Sequence, residues 1–233
     1  MCVAALAWMA HPRWKLVAIG NRDEFHGRLA APLARWADGR IVAGRDLQAG
    51  GTWLGVAEGR FALVTNHRAE GYPRHELASR GALVSDWLRG YDPGDVTTMN
   101  PFNLWLAGPD QLEFVTNHPR AQRISLEPGI HGLSNGPREE RWFKTARLEA
   151  ALADWFDADA PPESLLPALA DGTRDPADSG NAFSSVFIRN PDYGTRCSSV
   201  ITVDADGAGT IIERSFDSDG AEGGTVTLGF DWA

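Results

Sequence analysis

Cys2 follows the initiator methionine directly, and in 233 residues only one other thiol, Cys197, appears. An initiator Met before a small residue is commonly trimmed, and trimming would leave Cys2 with both a thiol and a free α-amine. Their ordinary pKa values lie close together, at about 8.5 and about 7.7–8.0. The amine can therefore serve as the base for its own nucleophile, directly or through a water. A second reactive group closes an apolar run with the residues Asn21, Arg22, Asp23 and Glu24. As a solvated turn these four side chains would only cancel charge. Beside Cys2 they would do more, with Arg22 favouring the thiolate and Asp23 orienting the ammonium and the guanidinium.

The elements that must bring these groups together are short. Apolar runs at 2–9 and 14–20 flank "AHPR" and predict a hairpin around a proline-containing turn. A tight antiparallel hairpin pairs residues whose numbers have a constant sum. A turn centred between His11 and Pro12 then sets Cys2 opposite Asn21. "GTWLGVA" and "RFALVTN" predict a second hairpin across "EGR", and "FNLWLAG" and "QLEFVTN" a third across "PD". Leu83, Val84, Trp87 and Leu88 recur at helical spacing behind Ser79 as N-cap. A longer helix is expected from Glu139 to Phe156, with Phe143, Ala146, Ala150 and Ala153 as one apolar seam, widened by Leu148, Leu152, Trp155 and Phe156. A shorter helix follows Pro162, and "SSVFI", "SSVITVD", "TIIERSF" and "TVTLGF" read as closing strands.

This order of strands, helix, strands, two helices and strands is an antiparallel α+β plan, not the alternation of a parallel sheet. Two antiparallel sheets packed face to face and covered by helices, in one domain spanning 1–233, would use these elements well. The Pro/Asp/Gly-rich stretch from Asp171 to Gly180 reads as a surface loop within that domain.

Composition narrows the partners. A net charge of −9 and a pI near 5.1 argue against nucleic acid and anionic membrane surfaces. No apolar stretch reaches the ~18 residues needed to span a bilayer, so no integral membrane contact is expected. Two cysteines make no disulfide framework, which suits a reducing, cytoplasmic setting. His67, His75, His118 and His131 match no zinc spacing, so no metal is expected. No dinucleotide or Walker fingerprint calls for a cofactor, and "GRDLQAGGTWLG" leads into a strand rather than a helix N-terminus. Trp53 in that segment either walls a pocket or packs the core. It is one of nine tryptophans, some of which would suit an apolar ligand.

"NRDE", "GGTWLGV", "VTNHR", "RGALVSDWL", "PGIHGLSN" and "DYGTRCSSVITVD" occur in that order across most of the chain. Together they resemble the NRDE family, also called the transport and Golgi organisation protein 2 family. That family resembles the N-terminal-nucleophile hydrolases, so the resemblance implies a four-layer αββα sandwich. The nearest mechanistic analogy is the cysteine branch, the bile-salt hydrolases and penicillin V acylases. It implies Cys2 as nucleophile, Arg22 and Asp23 as its support, Asn135 as oxyanion donor and Arg196 as a second arginine. The acylases carry Gly-Arg-x-x-Asp where this chain has Gly20-Asn21-Arg22-Asp23-Glu24. Matching the glycine instead of the guanidinium would make Glu24 the supporting carboxylate. Asn66 offers either a second oxyanion contact or a turn cap. Cys197 stands where relatives more often carry Ser.

Two functions follow as expectations. One is hydrolysis of an amide or thioester on a small molecule with an apolar tail. The other, implied by the family's links to haem trafficking and acyl-CoA or lipid homeostasis, is carriage of such a ligand without turnover. In that case the "NRDE" charges would hold the ligand's anionic groups, with Asn21 and Glu24 as further candidates for binding.

Overall fold

The computed structural model describes residues 2–74 and 76–232; Met1, on whose trimming the free amine depends, and His75 lie outside them. By internal contacts the chain divides into two compact units. The first holds Met1–Gly27, Pro128–Ser134 and Arg138–Gly229, and the second Arg28–Glu127, Asn135–Pro137 and Phe230–Ala233.

The first unit is built on β1 (Val3–His11) and β2 (Trp14–Phe25), the expected opening hairpin. β1 is flanked on its other edge by β10 (Gly129–Leu133), and β2 by β11 (Tyr193–Asp204). β12 (Ala208–Phe216) and β13 (Glu222–Asp231) complete a sheet of order β10-β1-β2-β11-β12-β13. The hairpin register differs from expectation by one residue. His11 pairs Trp14, so the turn falls at Pro12–Arg13, and an irregularity between Trp8 and His11 then sets Trp8 opposite Leu16 and Val3 opposite Asn21. Met9, within it, takes a left-handed φ of 45°. Continued by one step, the ladder sets Cys2 opposite Arg22 rather than Asn21.

Alternation along β1 and β2 sends Val3, Ala5, Ala7, Val17 and Ile19 to one face. There they form a core with Leu148, Leu152 and Trp155 of α2 (Phe143–Ala158), and with Leu166 and Leu169 of the short α3 (Leu166–Leu169). Each fully buried aliphatic side chain there contributes about 1.5–3 kcal/mol. Gly20 is needed where it stands: a Cβ would lie 2.9 Å from the Val3 carbonyl oxygen and 3.0 Å from the Ala4 Cβ. Gly132 on β10 likewise leaves room for Thr145 and Glu149 of α2.

Helix α2 begins at Phe143, not Glu139, because Trp142 is extended (φ −70°, ψ 153°), with its indole donating to Glu140. Its buried stripe is also not the expected alanine seam. Leu148, Leu152 and Trp155 face the core and Lys144 and Thr145 extend them, while Ala150 and Ala153 are exposed. "SSVFI" is not a strand: Ser185 Oγ donates to the Phe187 carbonyl at 2.7 Å, Phe187 N–H donates to the Asp171 carbonyl at 2.8 Å, and the Val186 carbonyl accepts from the Asn21 side chain at 3.0 Å.

In the second unit β3 (Ala30–Arg35), β4 (Val42–Asp46), β5 (Leu54–Ala57), β6 (Arg60–Asn66), β7 (Phe102–Ala107), β8 (Leu112–Thr116) and β9 (Gln122–Ser125) form an antiparallel sheet in chain order. β3, β4 and β9 were not anticipated, since their burial patterns are half-exposed. Helix α1 (Gly81–Leu88) lays Leu83, Val84, Trp87 and Leu88 against Ile41, Phe102, Leu104 and Leu106. The Ser79 hydroxyl makes no cap; its backbone carbonyl accepts from Ala82 N–H at 3.3 Å.

Candidate active site

Of the residues singled out in the sequence, Cys2, Asn21, Arg22, Asp23, Glu24 and Arg196 fall in the first unit, and Trp53, Asn66 and Asn135 in the second. Beyond Ile19, β2 keeps alternating, and its polar end divides between two faces.

Asn21 lies on the face carrying the α2 core. Its amide donates to the carbonyls of Leu169 at 2.8 Å and Val186 at 3.0 Å, and its Oδ1 accepts from Ser198 Oγ at 2.6 Å. With both donors and the acceptor engaged by protein and no exposed surface, Asn21 ties β2 to α3 and β11. The ligand-binding part expected of it is taken up by this structural role.

Asp23 follows on the same face and is 3% exposed. Its Oδ1 accepts from Thr195 Oγ1 at 2.7 Å, and its backbone carbonyl accepts from Tyr193 OH at 2.7 Å. Burial pushes its carboxyl from 3.8 up to about 6, against the pull of the amino-terminal ammonium, the Lys144 ammonium, the Thr195 hydroxyl and Arg22.

The opposite face carries Cys2, Arg22, Cys197 and Glu213. Cys197 pairs with Arg22 across β2–β11, and Glu213 of β12 pairs with Ser199, diagonal to Cys197. The Glu213 carboxylate hydrogen-bonds the Cys197 thiol, and burial followed by this carboxylate pushes that thiol well above its usual range. Arg22 thus stands between two thiols. They are two strand spacings apart, about 9–10 Å, beyond the ~7 Å limit for a disulfide, and both are free.

Cys2 is 8% exposed. Its backbone carbonyl accepts from Ser134 Oγ at 2.9 Å, which fixes the chain next to the sulfur. Burial pushes the thiol up and the Asp23 carboxylate adds to the rise. The amino-terminal ammonium, a hydrogen bond from the Asp23 backbone and the Arg22 guanidinium oppose it without prevailing. The expectation that Arg22 would make Cys2 a ready thiolate is therefore corrected: desolvation outweighs the neighbouring cation.

The two carboxylates of the motif separate. Glu24 forms a loose pair with Arg22 (3.9 Å) and accepts from Phe25 N–H at 2.9 Å, whereas Asp23 is the enclosed group beside Thr195. Arg196 sits at an irregularity in β11 between Thr195 and Cys197. Its Nη1 meets His26 Nδ1 at 3.1 Å, and its buried Nε has no hydrogen-bond partner among the described residues.

In the second unit Asn135 Nδ2 donates to the Asn66 carbonyl at 2.7 Å, and the Asn135 carbonyl accepts from Arg68 N–H at 2.7 Å. Asn66 is exposed and Trp53 buried; the Trp53 carbonyl accepts from Val64 N–H at 2.8 Å. Sequence reasoning missed Lys144, Thr195, Ser198 and Glu213. Lys144 was visible in principle, as a charge one turn before Leu148 on an otherwise apolar stripe. Among the described residues no helix is long and apolar enough to cross a membrane.

The site thus places a cysteine at the head of the first strand and a buried carboxylate and guanidinium on the second. The chain belongs to the Transport and Golgi organisation 2 family, whose model matches residues 1–218. It is 30% identical to the Transport and Golgi organization 2 homolog of Mus musculus, covering 99% of each chain. It is 30% identical to the Bos taurus homolog, over 92% of this chain and 93% of that protein. Identity to the Drosophila melanogaster protein is 25%, over 92% of each. Among solved structures it is similar to the Caenorhabditis elegans N-acylethanolamine-hydrolyzing acid amidase ortholog. The TM-score is 0.52 at 12% identity, over 86% of this chain and 92% of that one. The shared fold bears out the α+β class with two antiparallel sheets.

Proposed function

We propose that this chain is a cysteine hydrolase of N-terminal-nucleophile type, cleaving an amide or thioester on a small molecule with an apolar tail. One observation carries the reading: the β1–β2 ladder, continued by one step, sets Cys2 against Arg22, with the backbone of the next residue, Asp23, hydrogen-bonding the sulfur. After loss of Met1, the Cys2 amine takes the thiol proton directly or through a water, and sulfur attacks the substrate carbonyl carbon. The amine or thiol leaving group departs with that proton, leaving an acyl-Cys2. Water then cleaves the thioester and returns the free thiol. The raised thiol pKa suits this order, because a thiol protonated at rest needs its own base. Arg22 and Arg196 are the cations available to a substrate carboxylate or phosphate. The amide class is also that of the amidase with which the fold is shared, and a cytoplasmic setting keeps both thiols reduced.

Intact mass of the purified protein, followed by trapping with an acyl mimic reactive toward thiols, tests the proposal. Loss of Met1 and one acyl adduct on Cys2, abolished in Cys2→Ser, are expected. Retained Met1, or labelling that persists in Cys2→Ser, would sink it.

The burial of Cys2 favours a second reading. On it the same unit carries an acyl-CoA, a haem or a related molecule with an apolar body and an anionic group, without turnover. Quenching of tryptophan fluorescence by such ligands, lost in Arg22→Met, would support this; quenching indifferent to that change would exclude it.

A further inference from the structure

Lys144 is 1% exposed and is the second residue of α2. That position is doubly unfavourable for a cation. Burial strips its water, and the amino end of a helix carries partial positive charge. Lys144 is nevertheless one of only two lysines in a chain with 22 basic residues. It lies four residues before Leu148, on the stripe packed against β1 and β2, and its Nζ is 5.8 Å from the centre of the Trp142 ring. The Asp23 carboxylate lies on the same face of β2 that α2 covers, is likewise enclosed, and interacts electrostatically with the Lys144 ammonium. Among the described residues, the first unit buries four charged side chains: Arg22, Asp23, Lys144 and Glu213. Alternation divides them so that each face of the sheet receives one cation and one anion, Asp23 with Lys144 on the helix side and Arg22 with Glu213 on the other.

We propose that Lys144 is a positioning residue, a buried ammonium that holds the Asp23 carboxylate on the helix side of the strand end that faces Cys2 and so sets the charge felt by the reactive sulfur across the sheet. This rests on the reading that Cys2 is the reactive group. The charged and titratable groups acting on Asp23 are the amino-terminal ammonium and the Cys2 thiol from the head of β1, Lys144 from α2 and Arg22 from its own strand; from β11 it meets the Thr195 hydroxyl.

The test compares the full chain with Lys144→Met, Asp23→Asn and the double variant, all in a Cys197→Ser background so that alkylation reports Cys2 alone. Met fills much of the lysine volume and needs no partner, so the single variant is expected to fold. Removing a buried opposite charge should move the Asp23 titration upward by at least about one pH unit. It is read in the pH dependence of iodoacetamide labelling and of the melting temperature. The double variant should lose this shift and melt above Asp23→Asn, which leaves Lys144 without its carboxylate. A folded Lys144→Met with the parent's pH profile, or melting losses that simply add, would overturn the proposal. If Lys144→Met does not fold, a double variant that does fold establishes the coupling, and one that also fails refutes it. Thermal coupling does not require turnover, so a protein that never acylates would sink the hydrolase reading while leaving the Lys144–Asp23 couple standing.

Discussion

The seven-stranded sheet of the second unit buries amides and hydroxyls. Asn103 donates to the Gly136 carbonyl at 2.8 Å and Thr116 to the Phe102 carbonyl at 2.7 Å. Among the described residues its only buried ionisable side chain is His67, whose Nδ1 lies 3.3 Å from Asn103 Oδ1. The six-stranded sheet of the first unit is equally apolar along Val3–Ala7 and Leu16–Ile19, yet it carries three enclosed charges, Arg22, Asp23 and Glu213, and the helix that covers it a fourth, Lys144. Neutral hydrogen bonds inside a sheet contribute about 1 kcal/mol each, whereas an enclosed charge costs several kcal/mol unless paired. A unit that encloses such charges accepts a stability cost that packing does not require. The difference teaches where to look for chemistry.

If that division is real, core truncation in the second unit should change stability and nothing else. Leu104, fully buried at the centre of β7, is the sharpest probe. Leu104→Ala should cost about 2–5 kcal/mol by denaturant unfolding, and below the transition should leave the rate of Cys2 alkylation unchanged. A labelling rate altered several-fold in the folded variant would break the comparison.

In the first unit the expected signature is a pH dependence. The folded-state pKa of Asp23 is raised from 3.8 to about 6, so the neutral acid is the form the fold prefers. Its stabilising contribution is full below pH 4 and is lost as pH rises through 6. Two units correspond to about 3 kcal/mol. Asp23→Asn should remove that part of the slope, so the stability difference between the parent and the variant should grow across this window and level off above it. A constant difference between pH 3.5 and 7.5 would show that Asp23 is not enclosed as described.

Much of this division was legible beforehand, and the failures have causes. The "NRDE" segment stood out because four polar residues interrupt an apolar strand, and the hairpin argument carried Cys2 to it with an error of one residue. That error is the net of two: the turn falls at Pro12–Arg13, which shifts the pairing by two, and the irregularity at Met9, which no residue type announces, takes one back. The order of strands and helices gave the α+β class and the two antiparallel sheets, and the family motifs agreed with it. β3 and β9 went unread because a strand with exposed residues on both faces has no clean period of two. Lys144 and Glu213 were hidden for a different reason. A single lysine on a helix and a single glutamate on a strand read as solvent-facing until the partner they meet across the fold is known. The alanine seam of α2 misled for the same reason, since periodicity finds a face and only packing finds the buried one.

The smallest effect should come from charges of the second unit that face water. Arg123 donates to Glu113 at 2.7 and 2.9 Å and to Asp92 at 2.6 Å, and this geometry holds the Asp92 carboxyl below its usual range. By hydrogen bonds alone this is a better-connected group than Asp23. Solvent nevertheless reaches 38% of the Arg123 side chain and 56% of that of Asp92, so water screens the attraction and competes for the same donors. Arg123→Ala should therefore cost no more than about 1 kcal/mol, and about half a molar of salt should erase most of it. The Asp23 slope should survive the same salt, because mobile ions do not enter the packed face where that carboxylate sits. Equal salt sensitivity of the two would mean that the first unit's charges are as wet as those of the second, and the contrast between the sheets would fail.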